Sequence, residues 1–248
     1  MANNEKIGEP ETLQIDYPGL WPMIEPCRIE MTTSGAQDTI RSALRTGRFY
    51  EQEILEHVTR NAPRGGVYVD VGANIGTHAV WFGRWLADRV VCVEPCIHTR
   101  MPLVQNLVAN RVRDFRIVTC ALGAHAAAAT RVLPGFVPEW DELVTVIPLD
   151  DMMANSCDRV NCIKIDTDGE DLHVLQGAAK TLTEHQPYLV VEVWSPNLQR
   201  LVPEFLAGFG YHVDPESQKW TSLTWCFSTR KPKTIGSSPH GPHRPNQL

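Results

Sequence analysis

The sequence of 248 residues lacks a membrane-length apolar run, an excess of basic residues and any Cys-x-x-Cys pair. Its apolar runs are strand-sized, well short of the roughly 20 residues that a transmembrane helix needs, so we expect no membrane partner. The formal net charge is −6, and affinity for nucleic acid comes mainly from clustered lysine and arginine. The charge therefore argues against a nucleic-acid partner.

Disulfides and a secretory signal also have no support in the sequence. The seven cysteines are scattered and odd in number. Two of them, Cys92 and Cys162, fall inside apparent strands, where a thiol packs as a small apolar group. The first residues lack the basic-then-apolar order of a secretory signal. We therefore expect reduced cysteines and a cytoplasmic location.

The chain divides into three predicted segments. Residues 1–62 form an N-terminal extension, which is irregular to about residue 35 and then carries one or two helices, because apolar positions recur at helical spacing over 38–61. Residues 63–230 form the main domain. Residues 231–248 are rich in Pro, Ser, Gly and His, a composition that predicts disorder.

Short β-rich runs alternate with helical segments along the main domain. Several runs are apolar throughout, which is typical of strands buried on both faces. The pattern predicts an α/β fold of the Rossmann-like, doubly wound kind, with a mostly parallel sheet and helices on both faces. Residues 126–146 interrupt the pattern, and we expect an insertion or lid loop there, with Trp140 as a candidate for stacking on a substrate. The predicted strands are 67–71, 90–93, 115–118, 160–165, 188–193 and 223–227, and the predicted helices are 77–87, 101–110, 171–182 and 198–209.

The strongest local signal is a glycine turn followed by an acid. An apolar strand ends at Asp70-Val71-Gly72, a tight turn follows as far as Gly76, and a helix opens near Thr77. Glycines let the backbone approach a ligand closely, and the start of a helix offers unpaired N–H groups. The next strand ends in Glu94, where an acid can bind both hydroxyls of a ribose. The pattern therefore predicts an adenosine-containing cofactor.

The spacing of the turn bears on which cofactor binds. A dinucleotide-binding fold usually shows G-x-G-x-x-G, but here residues 72–76 read GANIG. The preceding Asp70 would repel a pyrophosphate, whereas it suits the ammonium group of a methionine tail. An NAD-dependent oxidoreductase and a non-catalytic adenosine-nucleotide binder remain as alternatives from other classes.

Several motifs, in the order in which they occur, resemble a known family. The segment DVGANIG at 70–76, Glu94-Pro95, Asn106, Asn110 and ALG at 121–123 are similar to motifs of the FkbM family of class I S-adenosylmethionine-dependent methyltransferases. The later segments IPLDDM, IKIDTDGEDLHVLQGA and VVEV resemble the second half of that family's domain. The resemblance covers the chain from about residue 48 to residue 192.

The resemblance implies an enzyme that transfers a methyl group from S-adenosylmethionine. It favours a hydroxyl of a sugar or secondary metabolite as the acceptor, with an N-acceptor or an RNA acceptor as the alternative. The acceptor would be a small molecule or a glycan, and a homo-oligomer is left open. The segment 120–122 would lie near the adenine. The implied cofactor-binding residues are Asp70, Gly72, Ala73, Asn74, Gly76, Glu94, Pro95, Cys120, Ala121 and Leu122.

Three carboxylates in the second half are the predicted catalytic residues. Asp166 and Asp168 follow an apolar strand and Glu192 ends the next one, and ligands bind beyond the carboxyl ends of the strands in such sheets. Methyl transfer needs alignment of the nucleophile with the methyl group, and a hydroxyl nucleophile also benefits from a base. We rank Asp166 first, to orient the acceptor or the cofactor's amino group, then Glu192, then Asp168.

Other interpretations of these residues stay open. Asp168 also suits a helix start, where acids meet the positive end of the helix dipole, and the chain has Asp168-Gly169 where the family usually has Glu-Gly. Two acids at the sheet edge could instead hold a divalent cation, although we predict no metal. Three histidines could act as bases near neutral pH, namely His78, His98 and His173. The resemblance also places Tyr50 and Glu51 near the cofactor.

Overall fold

The structure is a computed structural model, and it describes residues 11–20, 22–33, 36–132, 142–220 and 223–230. Strands and helices alternate along most of the chain, as the spacing of its apolar residues predicts. The strands are β1 (Thr12–Tyr17), β2 (Cys27–Thr32), β3 (Val67–Val71), β4 (Arg89–Val93), β5 (Phe115–Val118), β6 (Ala121–Leu122), β7 (Ala127–Val132), β8 (Glu142–Ile147), β9 (Val160–Ile165), β10 (Tyr188–Glu192), β11 (His212–Val213) and β12 (Thr224–Ser228). The helices are α1 (Asp38–Arg45), α2 (Gln52–Asn61), α3 (Thr77–Trp85), α4 (Ile97–Ala109), α5 (Leu149–Met153), α6 (Asp171–Gln176), α7 (Ala179–His185) and α8 (Pro196–Ala207).

Seven strands form the central sheet, in the order β11, β12, β10, β9, β3, β4 and β5. The five strands from β10 to β5 are parallel neighbours, whereas β12 is antiparallel to both β10 and β11. Strands β3 and β9 are buried along their whole length, because α1 to α4 pack on one face of the sheet and α5 to α8 on the other. The predicted doubly wound α/β architecture is confirmed.

The chain order of the sheet reverses at β3. From β3 the chain adds β4 and β5 on one side, and it later returns to add β9 and β10 on the other. In open α/β sheets, ligands bind beyond the carboxyl ends of the strands at such a reversal. The loops that follow β3 and β9 therefore border the expected ligand site.

In the described part of the N-terminal extension, residues 12–32 contain a hairpin where irregular structure is expected from the sequence. Strands β1 and β2 pair antiparallel over their full length. Ile15 and Tyr17 in β1, and Ile29 and Met31 in β2, alternate toward the core. This period of two lies between proline- and glycine-containing stretches, which obscured it. The one or two helices expected next are α1 and α2.

Asn106 in α4 and Asn110, which directly follows α4, fasten this hairpin to the main domain. Thr32 N–H donates to Asn106 Oδ1 at 2.7 Å, and Asn106 Nδ2 donates back to the Thr32 carbonyl at 3.1 Å. Asn110 makes the same pair of bonds with Glu30, at 3.1 and 2.6 Å. Each side-chain amide thus imitates a neighbouring strand and satisfies backbone groups at the edge of β2.

Two other elements differ from the sequence-based expectation. Two helices, α6 and α7, replace one predicted helix at 171–182. The helical structure is interrupted at Gly177, where a Cβ would lie 2.1 Å from the Gly123 carbonyl oxygen. Within 126–146, where a loop is expected, β7 and β8 form a small sheet with β6. Trp140 and the tail 231–248 lie outside the described residues.

In the described part of the chain, no helix is both long enough and apolar enough to cross a bilayer.

Candidate active site

Gly72 brings the turn after β3 into contact with the chain that leaves β9. Its φ is +75°, in the region that favours glycine. A Cβ at this position would lie 1.8 Å from the carbonyl oxygen of Asp166, so only a residue without a side chain fits. The two loops at the sheet reversal therefore lie directly against each other.

Glu94, which follows β4, is fixed by two backbone groups. Asn74 N–H donates to its Oε2 at 2.8 Å, and Cys96 N–H donates to its Oε1 at 2.9 Å. Burial raises the pKa of Glu94, while these hydrogen bonds oppose that effect. A carboxylate has about four lone-pair positions, so both oxygens can still accept hydrogen bonds from a ligand. The arrangement suits a pair of neighbouring hydroxyls.

A buried lysine joins the loops after β3 and β9. Lys164 Nζ lies 3.1 Å from Asp166 Oδ2 and 3.6 Å from Asp70 Oδ1, and it donates to the Gly72 carbonyl oxygen at 3.3 Å. Burial alone would lower the pKa of Lys164, but the carboxylates of Asp166, Asp70 and Glu51 raise it above its ordinary value. Lys164 is therefore positively charged, and three carboxylates act on its single ammonium group.

A cleft of about 210 Å³ opens at the same edge of the sheet. Glu51, which precedes α2, lines it with a φ of +52°, a value that residues other than glycine rarely adopt. Its carboxylate accepts a hydrogen bond from Thr224 Oγ1 at 2.5 Å and lies 3.3 Å from His78 Nε2. The N-terminal extension therefore completes the cleft. Other lining residues are Tyr50, Glu53, Ile54, Glu192, Trp220 and Leu223.

Glu192 reaches this cleft from the end of β10. Among the described residues, none forms a hydrogen bond or an ion pair with its carboxyl group. Burial, followed by repulsion from Asp166, Asp171 and Asp168, raises the pKa of Glu192 to about 9, against a lowering effect of Lys164. A carboxyl group with this pKa is protonated at neutral pH.

The three candidate histidines lie in different surroundings. His78 is buried beside Glu51. His98 and His173 are exposed, and His173 pairs with Glu170 at 2.7 Å on the surface of α6. Within the described segments, no three His, Cys, Asp or Glu side chains are grouped so as to hold a metal ion. Of these three histidines, only His78 belongs to the site.

A comparison with family models identifies the main domain. A model of the methyltransferase FkbM domain matches residues 70–213, which is more than half of the chain. The chain belongs to the FkbM methyltransferase family. The resemblance of its motifs is confirmed, and the matched region spans both loops at the sheet reversal.

Solved structures agree with an FkbM domain at the level of the fold. An FkbM methyltransferase from Methylobacillus flagellatus KT is 20% identical over 70% of this chain and 52% of that chain, with a TM-score of 0.51, so the present chain spans about half the length of that relative. An rRNA methylase from Streptococcus thermophilus is 10% identical over 71% of this chain and 93% of that chain, with a TM-score of 0.48. A Streptococcus mutans protein described as a methyltransferase, in complex with SAH, is 9% identical over 71% and 94%, with a TM-score of 0.47. Together with the family match, the structure of the Methylobacillus flagellatus KT protein gives the fold as that of a class I methyltransferase. No curated protein matches the sequence.

The FkbM domain places the predicted site residues along one edge of its sheet. The turn 72–76 follows β3, Glu94-Pro95 follows β4, and the segment 120–122 follows β5. Asp166 and the exposed Asp168 follow β9, and Glu192 ends β10. These strands are parallel, so their carboxyl ends meet at that edge. The roles assigned to these residues remain predictions.

Asp70 differs from the other predicted residues in its access to a ligand. It lies at the same edge but has no exposed surface, and its carboxylate faces Lys164. The carboxylate of Asp70 therefore has no surface that a ligand could contact directly.

Lys164 was not predicted from the sequence, although a signal for it was present. It is the one charged residue of the strand VNCIKI, two positions before Asp166. A charged side chain in a strand buried on both faces needs a counter-ion. Thr224 and Trp220 were also missed, and no local pattern marks them.

Proposed function

We propose that the protein transfers a methyl group from S-adenosylmethionine to a hydroxyl of a small molecule or glycan. The observation that carries this proposal is the surplus of negative charge where β3 and β9 end. The carboxylates of Asp70, Asp166 and Glu51 act on the single ammonium group of Lys164. Such a site attracts a cation, and S-adenosylmethionine offers a sulfonium and an ammonium group.

The residues around this charge also fit an adenosine. Glu94 is held in place by backbone N–H groups, with lone pairs left for the two ribose hydroxyls. The close contact at Gly72 holds the loops after β3 and β9 together at this edge. A pyrophosphate, by contrast, would bring negative charge toward buried carboxylates. The site therefore favours S-adenosylmethionine over a dinucleotide.

Each group has a definite task in this proposal. When bound, the cofactor supplies a sulfonium methyl group, which the acceptor oxygen attacks so that an O–C bond forms while the C–S bond breaks. Glu94 would hold the ribose, and Asp166, fixed by Lys164, would hold the ammonium group. Glu192 would receive the proton of the acceptor hydroxyl.

The cleft indicates the kind of acceptor. Tyr50 and Trp220 offer flat surfaces to a ring, and Glu51 and Glu192 offer oxygens for hydrogen bonds. None of the described lining residues is basic, so a phosphorylated acceptor or RNA would be repelled. We therefore propose an uncharged hydroxylated ring, such as a sugar.

The state of the thiols bears on where this reaction takes place. All seven cysteines lie in the described segments and are free. Free thiols are compatible with the cytoplasmic location that we propose.

S-adenosylhomocysteine should bind with a dissociation constant in the micromolar range, and Glu94→Ala should weaken this binding by about 1–3 kcal/mol. The reason is that the ribose hydroxyls lose a fixed, charged acceptor. Isothermal titration calorimetry measures the effect, with NAD titrated in parallel. Glu204→Ala, on the surface of α8, is the control and should leave affinity unchanged. Equal affinity in Glu94→Ala, or tighter binding of NAD, would contradict the cofactor assignment.

The acceptor class can be tested with methyl-labelled S-adenosylmethionine. We expect alkali-stable label in neutral monosaccharides or their glycosides, because the cleft offers aromatic surfaces and no positive charge. Simple amines and total RNA serve as the comparison acceptors. Label found only in amines or RNA would overturn the hydroxyl assignment and leave the cofactor assignment intact.

A further inference from the structure

Asp166 and Glu192 stand side by side at the ends of two parallel strands. The register of β9 and β10 pairs Ile165 with Val191, the residues just before them. The two acids therefore occupy adjacent positions where the neighbouring strands end. Lys164 is the counter-ion of Asp166 and of Asp70. In the described part of the chain, Glu192 has no counter-ion of its own. The ammonium group of Lys164 thus compensates the charges of Asp166 and Asp70, whereas the carboxyl group of Glu192 has no counter-ion among the described residues.

The elements packed around Glu192 add to this crowding. Acidic groups reach it from the loop that follows β9, from the start of α6 and from the start of α2, while β12 contributes only the uncharged Thr224. In these surroundings the pKa of Glu192 is about 9, because burial and like charges disfavour ionisation. The titratable and charged neighbours are Asp166, Asp168, Asp171 and Lys164 on one side, and Tyr50, Glu51 and Glu53 on the other.

Building on the proposed function, we propose that Glu192 holds a proton in the ligand-free enzyme and releases it when the positively charged methyl donor binds. The sulfonium charge then compensates the crowded carboxylates in place of the proton. Glu192 is thereby a base only while the donor is present. The free enzyme, and the enzyme with S-adenosylhomocysteine, hold a neutral carboxyl group that cannot accept the acceptor's proton.

The charges balance through one turnover. Donor binding brings one positive charge on sulfur and sends one proton from Glu192 to solvent. Methyl transfer makes the O–C bond, breaks the C–S bond, turns the sulfonium into a neutral thioether and passes the hydroxyl proton to Glu192. The product complex therefore has the charge of the ligand-free site, and Glu192 is ready for the next donor. The single proton set free overall is the one that left when the donor bound.

Calorimetric titrations in buffers of different ionisation enthalpy count the protons released on binding. At about pH 7.5, S-adenosylmethionine should release up to about one proton more than S-adenosylhomocysteine. The two ligands share the adenosine, amino and carboxylate groups and differ in the charge on sulfur, so their difference isolates that charge. From about pH 7 to about pH 8.5, the ratio of their affinities should shift toward the donor by up to about tenfold per pH unit.

Two variants assign the proton to its residue. Glu192→Gln keeps the size of the side chain and removes the titrating group, so the difference in proton release should disappear. Glu204→Gln, on the surface of α8, should retain the full difference. If Glu192→Gln does not fold, the pH dependence of the wild-type affinity ratio decides alone. Equal proton release by both ligands together with a flat ratio would overturn the inference. Failure of both ligands to bind would instead overturn the proposed function on which the inference depends.

Discussion

Replacing Gly72 by alanine should lower the free energy of unfolding by about 2–5 kcal/mol. Two effects add at this position. The φ of +75° is unfavourable for any residue with a Cβ, and that Cβ would lie 1.8 Å from the carbonyl oxygen of Asp166. Backbone atoms cannot move aside as a side chain can, so β3 and β9 must separate. Urea unfolding followed by circular dichroism measures the loss, and affinity for S-adenosylhomocysteine should fall with it.

Gly47 supplies the matched control for this prediction. Its φ is +77°, but apart from its own chain neighbours no described residue lies within 4 Å of the position that a Cβ would occupy. Gly47→Ala therefore has only the backbone effect, about 1–2 kcal/mol. If the two variants lose equal stability, the contact between the loops after β3 and β9 does not constrain the site as the structure indicates.

The glycine turn and Glu94 could be predicted because their constraints are local. A turn with φ above zero selects glycine whatever lies elsewhere in the chain, and an acid one strand later falls at the same edge of any parallel sheet. The apolar strands β3 and β9 were equally clear, since burial on both faces removes polar residues from the sequence itself. These features fixed the fold class and the edge at which the site lies.

Contacts between distant segments could not be predicted in the same way. Glu51 and Thr224 are 173 positions apart, and no periodicity links the start of α2 to β12. The hairpin of β1 and β2 could not be predicted either, because its period of two lies between proline- and glycine-containing stretches. The side chains that complete its edge, Asn110 and Asn106, are 80 and 74 positions away from their partners. The proton on Glu192 likewise follows from three neighbouring carboxylates that only the folded chain assembles.

Replacing Lys164 by methionine should lower the free energy of unfolding by about 3–5 kcal/mol. Methionine retains most of the apolar length but removes the ammonium group. Asp70, which has no exposed surface, then keeps a negative charge with no counter-ion. Asp166 is less affected, because its side chain is 29% exposed and water can reach it. Chemical denaturation of the single variant measures the loss.

The double variant Asp70→Asn/Lys164→Met shows whether the loss comes from the unpaired charge. Removing both charges relieves the buried carboxylate, so the double variant should be more stable than Lys164→Met alone, with a coupling energy of about 1–3 kcal/mol. Asp70→Asn by itself should be milder than Lys164→Met, because Lys164 still has Asp166 at 3.1 Å. Strictly additive losses would mean that Lys164 and Asp70 do not act as a pair. Asp70 would then not belong to the group of carboxylates that attracts a cationic donor to this edge. A coupled loss supports the charge arrangement on which both the donor and the proton of Glu192 depend.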